Sequence, residues 1–166
     1  MRGARLGCRE TNEPTPGYRP CVGIFLLSRE RQVFVGQRRD SSLDAWQMPQ
    51  GGIDPGEDPE RAGFREMREE IGTDKARLLA ESRVWRAYDL PPDLARRLWG
   101  GLYRGQTQKW LAFAFEGEDA DVRLDAYHPE FRAWRWADPS RLADLIVPFK
   151  RDIYASVVAE FRSLWA

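Results

Sequence analysis

The chain has 166 residues, and its 26 basic and 26 acidic side chains cancel. That length suits one domain with a single core, and the balanced charge excludes a global field that would recruit a polyanion, so any nucleic-acid partner has to be held by a few placed side chains. Cys8 and Cys21 have no paired spacing and His128 is the single histidine, which leaves a structural zinc site without ligands and argues against a disulfide scaffold.

No stretch approaches the roughly 20 apolar residues of a membrane span, so no membrane partner is expected and a reducing cytoplasm suits the chain best. Residues 1–17 open on the polar MRGARLGCRE, without an apolar leader, and are expected to be a flexible tail ahead of a domain spanning 18–166. Residues 18–28, YRPCVGIFLLS, are apolar with β-branched and aromatic character. A turn at 29–31 and a second strand at 33–37 complete a predicted hairpin. Trp46 and Met48 suggest a short strand before the glycines that follow.

The segment DPERAGFREMREEIG predicts a helix over 59–71: Asp58 caps it, Pro59 takes the first position, and Gly72 ends it in the left-handed conformation. Beyond it, 76–84 reads as a strand and LPPDLARRLWGG as a short helix interrupted by glycines. TQKWLAFAFEG, 107–117, has the apolar composition of a central strand buried on both faces. EFRAWRW, 130–136, is a further strand, and Ile153, Val157 and Phe161 recur every four residues in a final helix. The loose alternation of strands and helices predicts an α/β fold, a sheet covered by helices on both faces.

On the 59–71 helix, at about 100° per residue, Phe64, Met67 and Ile71 share one arc while Glu66, Glu69 and Glu70 gather on another. Like charges at that spacing repel, and hard carboxylate oxygens suit Mg²⁺ or Mn²⁺ between them. The plainer alternative is a solvated helix laced by pairs such as Arg65 and Glu69. The bent entrance through Gly51, Gly52, Pro55 and Gly56 favours the metal, since it can bring a backbone carbonyl to an ion.

From Gly51 the sequence resembles the Nudix hydrolase signature: glycine, five residues, Glu57, seven residues, then Arg65 through Gly72 as REMREEIG. Thr73 departs from the apolar residue usual there. The resemblance implies a Nudix α/β/α sandwich with a mixed sheet between helices, and cleavage of a pyrophosphate linkage with more than one divalent ion. It implies Glu66, Glu69 and Glu70 as ligands with the Gly51 carbonyl, and Glu57 and Arg65 as structural. Glu66 is its first choice of general base, with Glu130, in a turn before a strand, as competitor or added ligand.

Outside the signature, GYRPCVGI, WQMPQGGIDPGE, GQTQKWLAF, PEFRAWRW and VPFKRDIY resemble, in order, the bacterial RNA pyrophosphohydrolase and dinucleoside polyphosphate hydrolase branch of the family. RRDSSLDAW and residues 97–105 fit less closely. The expected partner is 5′-triphosphorylated RNA, converted to a monophosphate end, or a dinucleoside polyphosphate of the diadenosine type. A nonenzymatic binder of nucleotides or RNA ends is the third reading, disfavoured by the full set of carboxylates. Arg19 resembles a base contact, Arg38, Gln106 and Lys109 phosphate contacts, and Val147, Phe149 and Lys150 the nucleoside end. The residue types alone leave plainer roles open: surface positions for Arg19 and Arg38, core for Phe149, strand ends for Gln106, a solvent-facing strand position for Lys109. His128 supplies no relay by itself, and the seven tryptophans are foremost packing residues.

Overall fold

The computed structural model describes residues 7–166. Strands β1 (Arg9–Thr11), β2 (Arg19–Leu27), β3 (Val33–Arg38) and β4 (Gln50–Gly52) precede helix α1 (Pro59–Ile71). Strands β5 (Ala76–Glu81) and β6 (Trp85–Asp89) precede α2 (Pro92–Trp99). Then come β7 (Gly105–Phe115), β8 (Phe131–Ala137), α3 (Leu142–Leu145), α4 (Arg151–Glu160) and α5 (Arg162–Trp165).

The main path of the sheet runs β1, β6, β7, β2, β3, β8, with β4 added to β2 and β5 to β7. At its centre β2 and β7 are parallel, from Arg19 opposite Gln106 to Leu27 opposite Ala114. Both are near-continuous apolar runs, the composition a strand needs when each of its faces is covered. Val22, Ile24, Leu26, Leu111 and Phe113 turn to the layer of α1, meeting Ala62, Met67 and Ile71. Phe25, Leu27, Trp110 and Ala112 turn to the other layer, under Ile153, Val157 and Phe161 of the C-terminal helical segment. The result is the expected mixed sheet between helices, an α/β/α sandwich.

The predicted hairpin forms but splays. Leu27 pairs with Val33 at its base, after which β4 enters against β2, with Gly51 opposite Val22, and Gln47 bridges to Gly36 of β3. The splay carries the glycine segment to the head of α1. That helix begins and ends as its punctuation dictates: the Asp58 side chain accepts from the Arg61 N–H at 2.9 Å, and Gly72 closes it at φ 78°. Thr73, the polar departure, is buried with its hydroxyl accepting from the Lys75 N–H at 3.2 Å.

Three expectations change. The 76–84 strand breaks at Ser82, whose N–H donates to the Trp110 carbonyl at 2.7 Å, so β5 and β6 lie end to end on one edge of β7. The glycines after α2 terminate it, with Gly100 at φ 58°, and do not interrupt it. Of the expected N-terminal tail, residues 1–6 lie outside the described residues, but 9–17 are anchored. Arg9–Thr11 pair with β6, the Gly17 carbonyl accepts from the Arg104 N–H at 3.0 Å, and Glu10 accepts from the Ser156 hydroxyl at 2.9 Å. The free edge of β6 has unpaired backbone groups, and this segment satisfies them.

At the centre of the sheet the Trp110 ring lies flat against Gly23, where a Cβ would overlap its six-membered ring. Gly23→Ala is expected to lower stability by about 1–3 kcal/mol. Urea unfolding should show a lower midpoint at unchanged slope; an unchanged midpoint would mean that the ring shifts freely.

Candidate active site

The glycine segment and α1 meet through close approach. A Cβ at Gly51 would collide with the Glu66 carboxyl, and one at Gly52 with the Arg19 guanidinium. Glycine is needed here for space, which places the Glu66 and Arg19 heads directly on the backbone.

Arg65 ties this corner together. Its Nε and Nη2 donate to the two Glu57 oxygens at 2.9 and 2.8 Å, and Nη2 also donates to the Gly52 carbonyl at 2.8 Å. Nη1 donates to Glu66 at 2.8 Å and lies 3.4 Å from Glu69. Glu57 in turn accepts from the Asp54 N–H at 3.0 Å. The carbonyl that Arg65 holds is therefore that of Gly52, while Gly51 faces Glu66.

Glu70 is buried among these groups although the helical wheel puts it with the part-buried Glu66 and Glu69, and its Oε2 has no hydrogen-bond partner. Burial, then the charges of Glu66 and Glu130, push its carboxyl well above the usual range. Burial also pushes Glu66 up, against the pull of Arg65. Among the described residues no three acidic, histidine or cysteine side chains stand grouped as a finished metal cage, since Glu66 and Glu69 are turned onto Arg65. The donors nevertheless fit a hard divalent cation: the side-chain donors are carboxylate oxygens, one is orphaned and buried, and the raised proton affinity of Glu66 and Glu70 is what a cation would offset.

These carboxylates form one wall of a cleft of about 760 Å³ that also receives Arg19, Arg38, Gln106, Glu130, Val147, Phe149 and Lys150. Arg38 is already engaged, donating to both Asp40 oxygens at 2.8 and 2.7 Å, with Glu130 3.7 Å away. Burial and the nearby Arg38 push the Lys150 ammonium down to about 8. Phe149 has its ring centroid 6.3 Å from that of Tyr88. Phe149 is thus a cleft residue as well as a partly buried one, and Gln106 is a floor residue.

Lys109 is not brought there. Adjacent strand residues point to opposite faces, and Lys109 turns away from Gln106 and Gln108. Its ammonium lies 3.9 Å from Glu81 and 5.8 Å from the Trp85 ring centroid. His128 does line the cleft, as do Gln47, Gln50, Tyr88, Leu94, Leu98 and Trp99, none of which the sequence singled out. One signal was present for α2: Leu94 and Leu98 stand four apart on a helix that buries only Ala95. Leu98 is left 55% exposed, and Leu43 in the less closely fitting RRDSSLDAW loop is 60% exposed.

Arg65 holds the Glu57 carboxyl at about 2, against an ordinary value of 4.5. A carboxyl that ionises more readily when folded stabilises fully above the unfolded value and loses that contribution as pH falls toward the folded one. Glu57→Gln is expected to lower stability at pH 7 by roughly 1–3 kcal/mol. In denaturant melts the gap to the parent protein should close between about 4.5 and about 2; a constant gap would place the loss elsewhere.

The NUDIX domain family model matches residues 17–157. The chain is 61% identical over 143 residues to the RNA pyrophosphohydrolase of Rhodospirillum rubrum, covering 86% of each chain. It is 56% identical over 151 residues to the RNA pyrophosphohydrolase of Novosphingobium aromaticivorans, covering 89% of this chain and 94% of that one. The fold is similar to the solved E. coli dihydroneopterin triphosphate pyrophosphohydrolase, with a TM-score of 0.61 at 22% identity, over 86% of this chain and 98% of that one. The chain belongs to the Nudix hydrolase family, beside the bacterial RNA pyrophosphohydrolases.

Proposed function

We propose that the chain hydrolyses the phosphate chain of 5′-triphosphorylated RNA in the cytoplasm, leaving a 5′-monophosphate end, with more than one Mg²⁺ or Mn²⁺ as cofactor. The observation that carries this reading is the continuity of one cleft, in which an acidic wall faces cationic and aromatic groups. The names of the relatives support the RNA end as substrate.

Glu66, Glu69 and Glu70, with Glu130 and the Gly51 backbone, would hold the ions. Bound there, divalent ions would supply neutralisation of phosphate charge and a lowered pKa for an attacking water. Glu66 is assigned to take the proton of that water, with Glu130 as the competing base, and both line the cleft. Glu57 and Arg65 orient the loop and helix, and act on the reaction through Glu66 and Glu69. Arg19 and Arg38 would receive phosphate or base, Arg38 by exchanging Asp40 for a phosphate with the same fork geometry. Val147, Phe149 and Lys150 would take the nucleoside. Lys109, held by Glu81 and the Trp85 ring, has no direct place in this scheme.

A dinucleoside polyphosphate offers the same phosphates with a second base. Trp99 on the α2 side of the cleft is the observation that favours it, as an aromatic surface additional to Phe149.

The deciding experiment measures kcat/KM on a short 5′-triphosphorylated RNA and on diadenosine tetraphosphate in one Mg²⁺ buffer, with products resolved. Preference for the RNA is expected; preference for the dinucleotide would overturn the RNA reading. Glu70→Gln is expected to lose turnover by on the order of 100-fold or more with an unchanged circular dichroism spectrum and a melting temperature no lower than the parent's, since a carboxyl pushed up on folding destabilises at neutral pH. Near-parental turnover by that variant would overturn the metal assignment.

A further inference from the structure

Beneath the cleft lies a row of amides whose hydrogen-bonding sense is set by one group. The Trp110 indole N–H can only donate, and it lies 2.9 Å from the Gln108 side chain. The facing atom of Gln108 is therefore its oxygen, although an amide alone could be turned either way. Gln108 Nε2 must then donate, and it reaches Gln50 at 2.6 Å and Gln106 at 2.8 Å. Both of those facing atoms are thereby fixed as carbonyl oxygens. The Tyr88 hydroxyl donates to the same Gln106 oxygen at 3.0 Å.

The fixed members are deep: Trp110 and Gln108 are each 1% exposed. Gln50 and Gln106 line the cleft, and Gln108 and Trp110 stand behind them. With their oxygens committed to Gln108, Gln50 and Gln106 have their NH₂ groups left for a ligand, and no protein group among the described residues accepts from either.

We propose that Trp110 and Gln108 are positioning residues that lock the cleft floor into a donor-only array for the phosphate chain. This rests on the substrate reading above. The array begins at Gln50, next to Gly51 and the acidic wall. It continues to Gln106, which is opposite Arg19 in the parallel register and bonded to Tyr88, the neighbour of Phe149. A ligand lying along that line meets N–H groups from both amides. Phosphate oxygens accept along their whole length, so they match such a row. An amide free to turn would present its carbonyl oxygen and repel them.

Two variants test the array without altering a cleft-lining residue. Trp110→Phe removes the obligatory donor at no change of charge. Gln108→Glu keeps the shape and the acceptor for Trp110 but has no N–H to hold the Gln50 and Gln106 oxygens inward. Both are expected to raise KM for the triphosphorylated RNA by on the order of tenfold, with kcat changed far less. In the parent protein, side-chain ¹H–¹⁵N signals of Gln50 and Gln106 should shift on addition of inorganic tripolyphosphate with Mg²⁺, while the Gln108 amide stays in place. Stationary Gln50 and Gln106 signals, or an unchanged KM in the folded variants, would overturn the array while leaving the substrate reading intact. Parent protein that fails to process the RNA would overturn the reading and the inference with it.

Discussion

The acidic wall depends on Arg65. Two like charges about 4 Å apart at a protein surface repel by roughly 4 kcal/mol at an effective dielectric near 20, and α1 sets three glutamates within a little more than one turn. Arg65 answers with a planar fork that fits carboxylate geometry: it grips Glu57 with two bonds, Glu66 with one, and the Gly52 carbonyl with another. A single guanidinium thus joins the loop to the helix and sets the distance between them. Glu70 lies outside its hydrogen-bonding reach, which is why the unpartnered oxygen is found there.

A second constraint lies in β7, which serves both the core and the cleft. Its odd residues Leu111 and Phe113 bury against α1, and its even residues pass from Trp110 in the opposite core to Gln108 and Gln106 beneath the cleft. Strand geometry makes that transition abrupt, because side chains two apart share a face and stand about 7 Å from each other along the strand. The rigidity of a central strand is thereby passed to polar groups at its end. An amide chain in a mobile loop would not hold one sense of donation.

The sequence made α1 legible almost to the residue, because capping, proline and left-handed glycine are local signals and the helix starts and stops where they stand. The central strands were legible for a related reason: their apolar runs exceed what one covered face requires. What escaped was decided by tertiary partners. Arg9–Thr11 is polar and becomes a strand only because β6 offers it an edge. Glu70 shares the acidic arc of the helical wheel with Glu66 and Glu69, yet it alone of the three is buried. Lys109 sits in a matching block between residues that bear on the cleft, but strand parity turns it away. Gln50 and Gln106 acquire their orientation from Trp110, a dependence that no spacing in the chain reveals.

Net neutrality and a polyanionic substrate are reconciled by the same local logic. One cleft cation, Arg38, is compensated before any ligand arrives, by Asp40 and Glu130, and behind the acidic wall Arg65 is compensated by Glu57 and Glu66. Lys150 is held down to about 8 by burial and by Arg38. Long-range attraction is therefore small, and selection falls to groups that give a phosphate chain something Asp40 cannot use. The uncommitted amide donors of the floor are such groups: they add hydrogen bonds without adding charge, and their direction is fixed before binding. Preorganised neutral donors favour a ligand with acceptors at the right intervals over one that is merely anionic.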